Sequence, residues 1–173
     1  MNKASLTQTW DDFRAVHGIG LRAIASIPAD KLDSHPIANM RSPKELVCHM
    51  YESLAELTGG VAKGEVSDPT PAEEKAAKDL TSRDALLAWC KDKWNASDRS
   101  VKGLTDAQVA GMVKTPWGHD FTGHGMIAVV IDEYWHHRGQ LYCYLRALGV
   151  APHSIYDFEH NAPEYQPRAQ TTA

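Results

Sequence analysis

Between His124 and Leu148 the chain is apolar on more than one side of a helix, and Gly149 marks a natural stop. At about 100° per residue, Met126, Val130, Glu133, His137, Leu141, Tyr144 and Leu148 fall on one face. Ile127, Ile131, Trp135, Tyr142 and Leu145 fall on the opposite side. A helix that is hydrophobic all round is covered on both sides. This one is therefore expected to be central, with the C-terminal tail or a second subunit over its outer face.

Three further amphipathic helices precede it. Leu6, Trp10, Phe13, His17, Leu21 and Ile24 recur at three- and four-residue steps, which predicts a first helix over about 4–26, closed by Pro28. Ser42-Pro43-Lys44-Glu45 is an N-cap serine, a proline in the first turn and a glutamate three residues on, the signature of a capping box. The second helix starts there and runs through Leu46, Met50, Leu54 and Leu57 to an end near Gly59-Gly60. Thr81 to Asp84 opens a third helix, carried by Leu86, Leu87, Trp89, Trp94 and Val101 to about Lys102. The stretch 64–79, with Pro69, Pro71 and five acidic residues, reads as a polar loop. Residues 105–110 read as one short turn, and 115–125, rich in glycine, as irregular. No period-two strand exceeds a few residues, and no repeat is evident. The expected fold class is all-α, a four-helix bundle with long connections, some crossing the bundle diagonally. A single domain over 1–160 and a polar, fraying tail over 161–173 complete the expectation.

Composition narrows the function classes. The 173 residues carry 18 Lys and Arg against 22 Asp and Glu, a net charge of −4, which lacks the basic excess of a nucleic-acid binder. No run of about 18 apolar residues exists to span a membrane, and the first ten residues have no apolar core of a secretory signal. Three widely spaced cysteines, Cys48, Cys90 and Cys143, suit free thiols and a cytoplasmic setting. The nine histidines are the unusual count.

Glu133 and His137 stand four apart on an otherwise apolar helix face, so their side chains lie one above the other. Two ionisable groups there need a pairing, a hydrogen bond or a metal. His49, on the apolar side of the second helix, completes a three-ligand set if the second and fourth helices face each other. Two histidines and one carboxylate make an open metal site suited to Zn²⁺ or non-haem Fe²⁺. By spacing alone, a buried His–Glu pair four apart is a structural ion pair more often than a metal site. Glu133-x-x-His136 also matches one element of a di-iron carboxylate bundle, but no second such element exists, and that reading is set aside. His136 and Gln140 are candidate supporting or pocket residues, with an interface or helix–helix contact as the plainer alternative. Gly139, costly inside a helix, suggests close helix packing. His17 reads as a satisfied core histidine. His119, Asp120 and His124 either rim a pocket mouth or sit in a solvated loop, and Cys48 reads as a small core residue rather than a nucleophile.

The run from Asp132 through His136-His137-Arg138-Gly139-Gln140-Leu141, followed by Leu145 to Val150, resembles the DinB/YfiT-like family, typified by a His-Arg-Gly-Gln signature on its last bundle helix. The resemblance implies a metal-binding four-helix bundle, often dimeric, with three histidine ligands: one on the second helix and two on the last, at i and i+4. Here those positions are His49, Glu133 and His137, so a carboxylate stands where the family pattern has its remaining histidine. Glutamate keeps a donor but adds a negative charge and a harder ligand.

The resemblance further implies a metal-dependent enzyme with a mononuclear divalent ion (Zn, Ni, Fe or Mn) and open coordination positions. Two chemistries follow, thiol transfer from a low-molecular-weight thiol and hydrolysis. A non-catalytic metal or small-ligand binder of the stress-response kind and a structural dimer with a vestigial site are the alternatives. Expected partners are a small-molecule substrate and a second copy of the chain, joined through the fourth helix, with neither nucleic acid nor membrane.

Overall fold

The computed structural model describes residues 2–167. Six helices, α1 (Lys3–Ala25), α2 (Pro43–Lys63), α3 (Thr70–Asp79), α4 (Arg83–Gly103), α5 (Asp106–Ala110) and α6 (Gly123–Ala147), account for most of them. A two-stranded antiparallel ribbon joins β1 (Met112–Val113) to β2 (Phe121–Thr122), with Met112 opposite Thr122 and Val113 opposite Phe121. The fold is all-α, as expected, and α1, α2, α4 and α6 form its bundle. Both α1 and α2 pack against α4 and α6, which places α1 and α2 on one diagonal and α4 and α6 on the other. The α1–α2 and α4–α6 connections therefore cross the bundle, and their length follows from that.

The helix starts are set by side-chain caps. The Ser42 backbone N–H donates to Glu45 Oε2 at 2.7 Å and the Glu45 N–H to Ser42 Oγ at 3.2 Å, closing the expected box. Thr105 and Gln108 form a second box at α5, and Thr122 Oγ1 caps α6 by accepting from the Gly125 N–H. Apolar burial then fixes the packing. Trp10 stacks on Trp94 with centroids 5.2 Å apart, and Phe13 meets Tyr134 edge to face at 5.0 Å. Fully burying such side chains contributes about 1.5–3 kcal/mol each.

Four expectations change. First, α2 does not stop at Gly59-Gly60 but runs to Lys63, and Gly64 closes it in the left-handed conformation (φ 85°). Gly60 is there for proximity: a Cβ on it would lie 2.5 Å from Val66 Cγ2, where the outgoing chain doubles back. Second, the supposed polar loop contains α3. Proline is tolerated in a first helical turn, Asp68 Oδ1 accepts from the Thr70 N–H at 3.0 Å, and the Ala-, Glu- and Lys-rich remainder favours helix.

Third, the tail is not frayed where it begins. Asn161 and Tyr165 are buried against α1, and Asn161 Nδ2 donates to the Ala15 and Tyr165 carbonyls at 2.9 and 3.0 Å. Arg22 pairs with Asp157 upstream. Residues 168–173 lie outside the described part. Fourth, the opposite side of α6 is only partly covered: Ile127, Tyr142 and Leu145 are buried, the turn at Pro163–Tyr165 packs on α1, and among the described residues Trp135, Gly139 and Cys143 form an exposed strip. None of the helices is long and apolar enough to cross a membrane among the described residues.

Candidate metal centre

Packing of α2 against α6 brings His49, from the middle of α2, to Glu133 and His137, on successive turns of α6. One ligand atom from each lies within 4.8 Å of the other two. His137 Nε2 is 3.1 Å from Glu133 Oε2, and the His49 and His137 rings meet edge to face with centroids 4.6 Å apart. The structure thus assembles all three of the residues singled out in the sequence. Their burial differs from expectation: His137 is buried and His49 half-buried, but the Glu133 side chain is 47% exposed because a pocket opens over it.

The hydrogen bonds behind the rings decide which nitrogens face the centre. His49 Nδ1 lies 3.0 Å from each oxygen of Glu73, on α3. A carboxylate only accepts, so Nδ1 carries a proton, which leaves Nε2 as the nitrogen able to ligate an ion. Gln140 is oriented by its two neighbours. Its Nε2 lies 3.1 Å from His136 Nε2 and donates there, leaving Oε1 to accept from His137 Nδ1–H at 2.9 Å. His137 Nε2 therefore also points a lone pair at the centre, toward the acceptor oxygens of Glu133. Burial pushes the His137 pKa below its ordinary 6.5, and His49 and His136 add to that against Gln140 and Glu133. A proton is thus a poor neutraliser of this contact near neutral pH, and a cation is a good one. Two imidazoles and a carboxylate fit a divalent transition ion. Bonds of about 2.0–2.2 Å need the donors drawn closer, and the exposed Glu133 side chain has the freedom for it.

The pocket over the centre holds about 410 Å³. His49, Glu133 and Glu73 lie in its lining, Leu57, Val129 and Phe121 give it an apolar wall, and Arg41, Trp117 and His119 contribute as well. Thr115 shapes the β1–β2 turn that carries the last two, its Oγ1 donating to the His119 carbonyl at 2.6 Å. Of the three residues between a rim and a solvated-loop reading, His119 lines the pocket, whereas Asp120 accepts from the Thr115 N–H at 3.3 Å and His124 contacts Thr122. A larger groove of about 670 Å³ adjoins it and shares Arg41, Thr70 and Glu73, but none of the three donors lines it.

Sequence reasoning missed Glu73. Its stretch looked like a loop, and the signal available was a run of strong helix formers after Pro71. Burial pushes the Cys48 thiol up to about 12, against the pull of Lys44, which fits a core residue rather than a nucleophile. His17 is in the core as expected but is not satisfied, since neither ring nitrogen has a hydrogen-bond partner among the described residues. A second acidic and histidine group, Asp157, Glu159 and His160, is solvent-facing. The Arg22 hydrogen bond holds Asp157 at about 2, so this group anchors the C-terminal segment.

Solved structures share the architecture. The DinB-like protein YjoA from Bacillus subtilis superposes with a TM-score of 0.62 at 20% identity, over 87% of this chain and 92% of that one. A mutant of the mycothiol-dependent maleylpyruvate isomerase superposes with a TM-score of 0.60 at 14% identity, over 82% of this chain and 63% of that one. Comparison with curated proteins yields no match. The DinB family model matches residues 1–169, the whole bundle and the signature run on α6, so the chain belongs to the DinB family.

Proposed function

We propose that this protein is an enzyme that holds one divalent ion through His49, Glu133 and His137 and transfers a low-molecular-weight thiol to an electrophilic substrate. The observation that carries the reading is the pair of hydrogen bonds made by the Nδ1 atoms, His49 to Glu73 and His137 to Gln140, which leave both Nε2 atoms free to ligate in a cluster where His137 Nε2 lies 3.1 Å from Glu133. A bound divalent ion supplies a Lewis acid that polarises a substrate oxygen and favours the thiolate form of a thiol. The chain's own residues position and shield. Leu57, Val129 and Phe121 exclude water from one side of the pocket, Trp117 offers an aromatic surface, and Arg41 offers a cation to an anionic substrate group. The thiol reading draws support from the shared fold with an isomerase whose name includes mycothiol dependence.

Protein purified without added metal is expected to carry about one divalent ion per chain by elemental analysis. It is expected to consume a small thiol together with an electrophile, to lose that activity on chelation and to regain it with a divalent ion. Turnover of esters or amides without thiol consumption would instead make it a hydrolase. No turnover of either kind, with metal present, would make it a binder.

The outer face of α6 is proposed to join two copies. Trp135 is 51% exposed, and Gly139 and Cys143 are exposed on the following turns. A Cβ on Gly139 would meet nothing within 4 Å, so no contact among the described residues accounts for a residue that costs about 1 kcal/mol in a helix interior. Trp135→Glu is expected to halve the mass seen in sedimentation equilibrium, and an unchanged mass would refute this interface.

A further inference from the structure

Little apolar contact holds α3 to the bundle. Of its ten residues only Glu73 and Ala76 are buried. Yet Pro69 and Thr70, at its start, line the pocket over the metal centre, so the docking of α3 decides whether that wall exists. Glu73 is the polar anchor. Both its oxygens lie 3.0 Å from one atom, His49 Nδ1, and its side chain is 9% exposed. Arg41, half exposed, comes no closer to it than 3.7 Å. Burying a carboxylate is costly unless it is paired, and the imidazole N–H is its close partner.

We propose that Glu73 is a positioning residue that couples occupancy of the metal centre to the docking of α3. The inference rests on reading His49 as a ligand. Glu73 and an ion act on opposite nitrogens of one ring. Glu73 fixes the proton on Nδ1 and so presents Nε2 as a donor. An ion on Nε2 draws electron density from the ring, makes Nδ1–H a stronger donor and tightens its bond to Glu73. Coupling of this kind is reciprocal: the factor by which docked Glu73 raises ion affinity is the factor by which the ion favours docked α3. Loading the centre therefore completes the pocket wall, and the empty protein holds that wall more loosely.

The test uses the full chain with zinc alone as the probe. Zinc affinity is measured by competition with a chromophoric chelator, and amide hydrogen exchange of residues 70–79 is followed with and without zinc. Glu73→Ala is expected to weaken zinc by about 10–100-fold. Glu73→Gln, which retains an acceptor oxygen but not the charge, is expected to fall between it and wild type. Zinc is expected to slow exchange in α3 of the wild type, and to do so less in both variants. Glu73→Ala binding zinc within twofold of wild type overturns the coupling, even if its metal-free form melts lower. Exchange in wild-type α3 that ignores zinc overturns it too. Wild type that binds no zinc overturns the reading of His49 as a zinc ligand and this inference with it, which separates the two failures.

Discussion

Replacing His137 by alanine is expected to abolish the tight divalent-ion binding proposed for this centre. The substitution removes the imidazole whose Nε2 lies 3.1 Å from Glu133 Oε2 and whose Nδ1 is held by Gln140. What remains is one imidazole and one half-exposed carboxylate, too few fixed donors for a closed chelate. Changes in groups that merely orient ligands cost about 10–100-fold in affinity, so loss of a ligand is expected to cost about 100-fold or more. Two measurements check this independently of turnover. Elemental analysis of the purified variant is expected to fall far below one ion per chain. Added zinc, which stabilises the folded wild type by mass action, is expected to raise the wild-type melting temperature but not that of His137→Ala. Metal content equal to wild type would sink the three-ligand centre. The companion variant Glu133→His tests the carboxylate. It is expected to keep an ion while losing more affinity for manganese than for zinc, because a neutral imidazole is the softer donor. An unchanged manganese-to-zinc ratio would show that Glu133 does not set the preference.

The bundle helices and the grouping of the three candidate donors are legible in sequence for the same reason. Helical periodicity is local, and residues four apart on one helix must share a face. Ser42 with Glu45 announced the start of α2, and His49 then fell on its apolar side, while the His-Arg-Gly-Gln run marked α6. What remained hidden depends on contacts between distant segments. Glu73 lies 24 residues from His49, and the helix that carries it buries only one other residue, so no apolar stripe betrays it. The ribbon at 112–122 is two residues deep on each side, too short for alternation to register. Gly59-Gly60 looked like a stop because glycine often ends helices, whereas Gly60 serves the close passage of Val66. The C-terminal segment reads as a tail because its attachment rests on a few scattered groups, Arg22 with Asp157, Asn161 with the α1 backbone and Tyr165 against His17 and Trp94, rather than on a periodic apolar pattern. Glu133 lies beside His137 as its spacing implies, but only the pocket above it reveals that the carboxylate is open to solvent.

Acid is expected to destabilise this protein from about pH 6.5 downward, and His17→Phe is expected to remove much of that sensitivity. His17 is fully buried, stacked on the Trp94 ring at 3.9 Å between centroids and flanked by Tyr51, Tyr134 and Tyr165. Burial, with the nearby positive charge of Arg14, drives its pKa well below the ordinary 6.5. Above 6.5 the imidazole is neutral whether the chain is folded or not, and it exerts no pH effect. Below 6.5 the unfolded chain takes up a proton that the folded core refuses, so the unfolded state gains. Stability therefore falls as pH drops through the window below 6.5, by up to about 1.4 kcal/mol per pH unit for one such group. His137, also depressed, adds to the slope in metal-free protein, so the two chains are compared without metal and His17 is isolated as their difference. Urea melts of wild type and His17→Phe at pH 8, 7, 6 and 5 supply the comparison. At pH 8 a ring-for-ring exchange in the core is expected to shift stability by less than about 1.5 kcal/mol. Toward pH 5 the variant is expected to overtake wild type, with the gap widening at each step. Parallel curves across the range would mean that His17 is protonated as readily in the core as in the unfolded chain, and would refute its place as a buried neutral group.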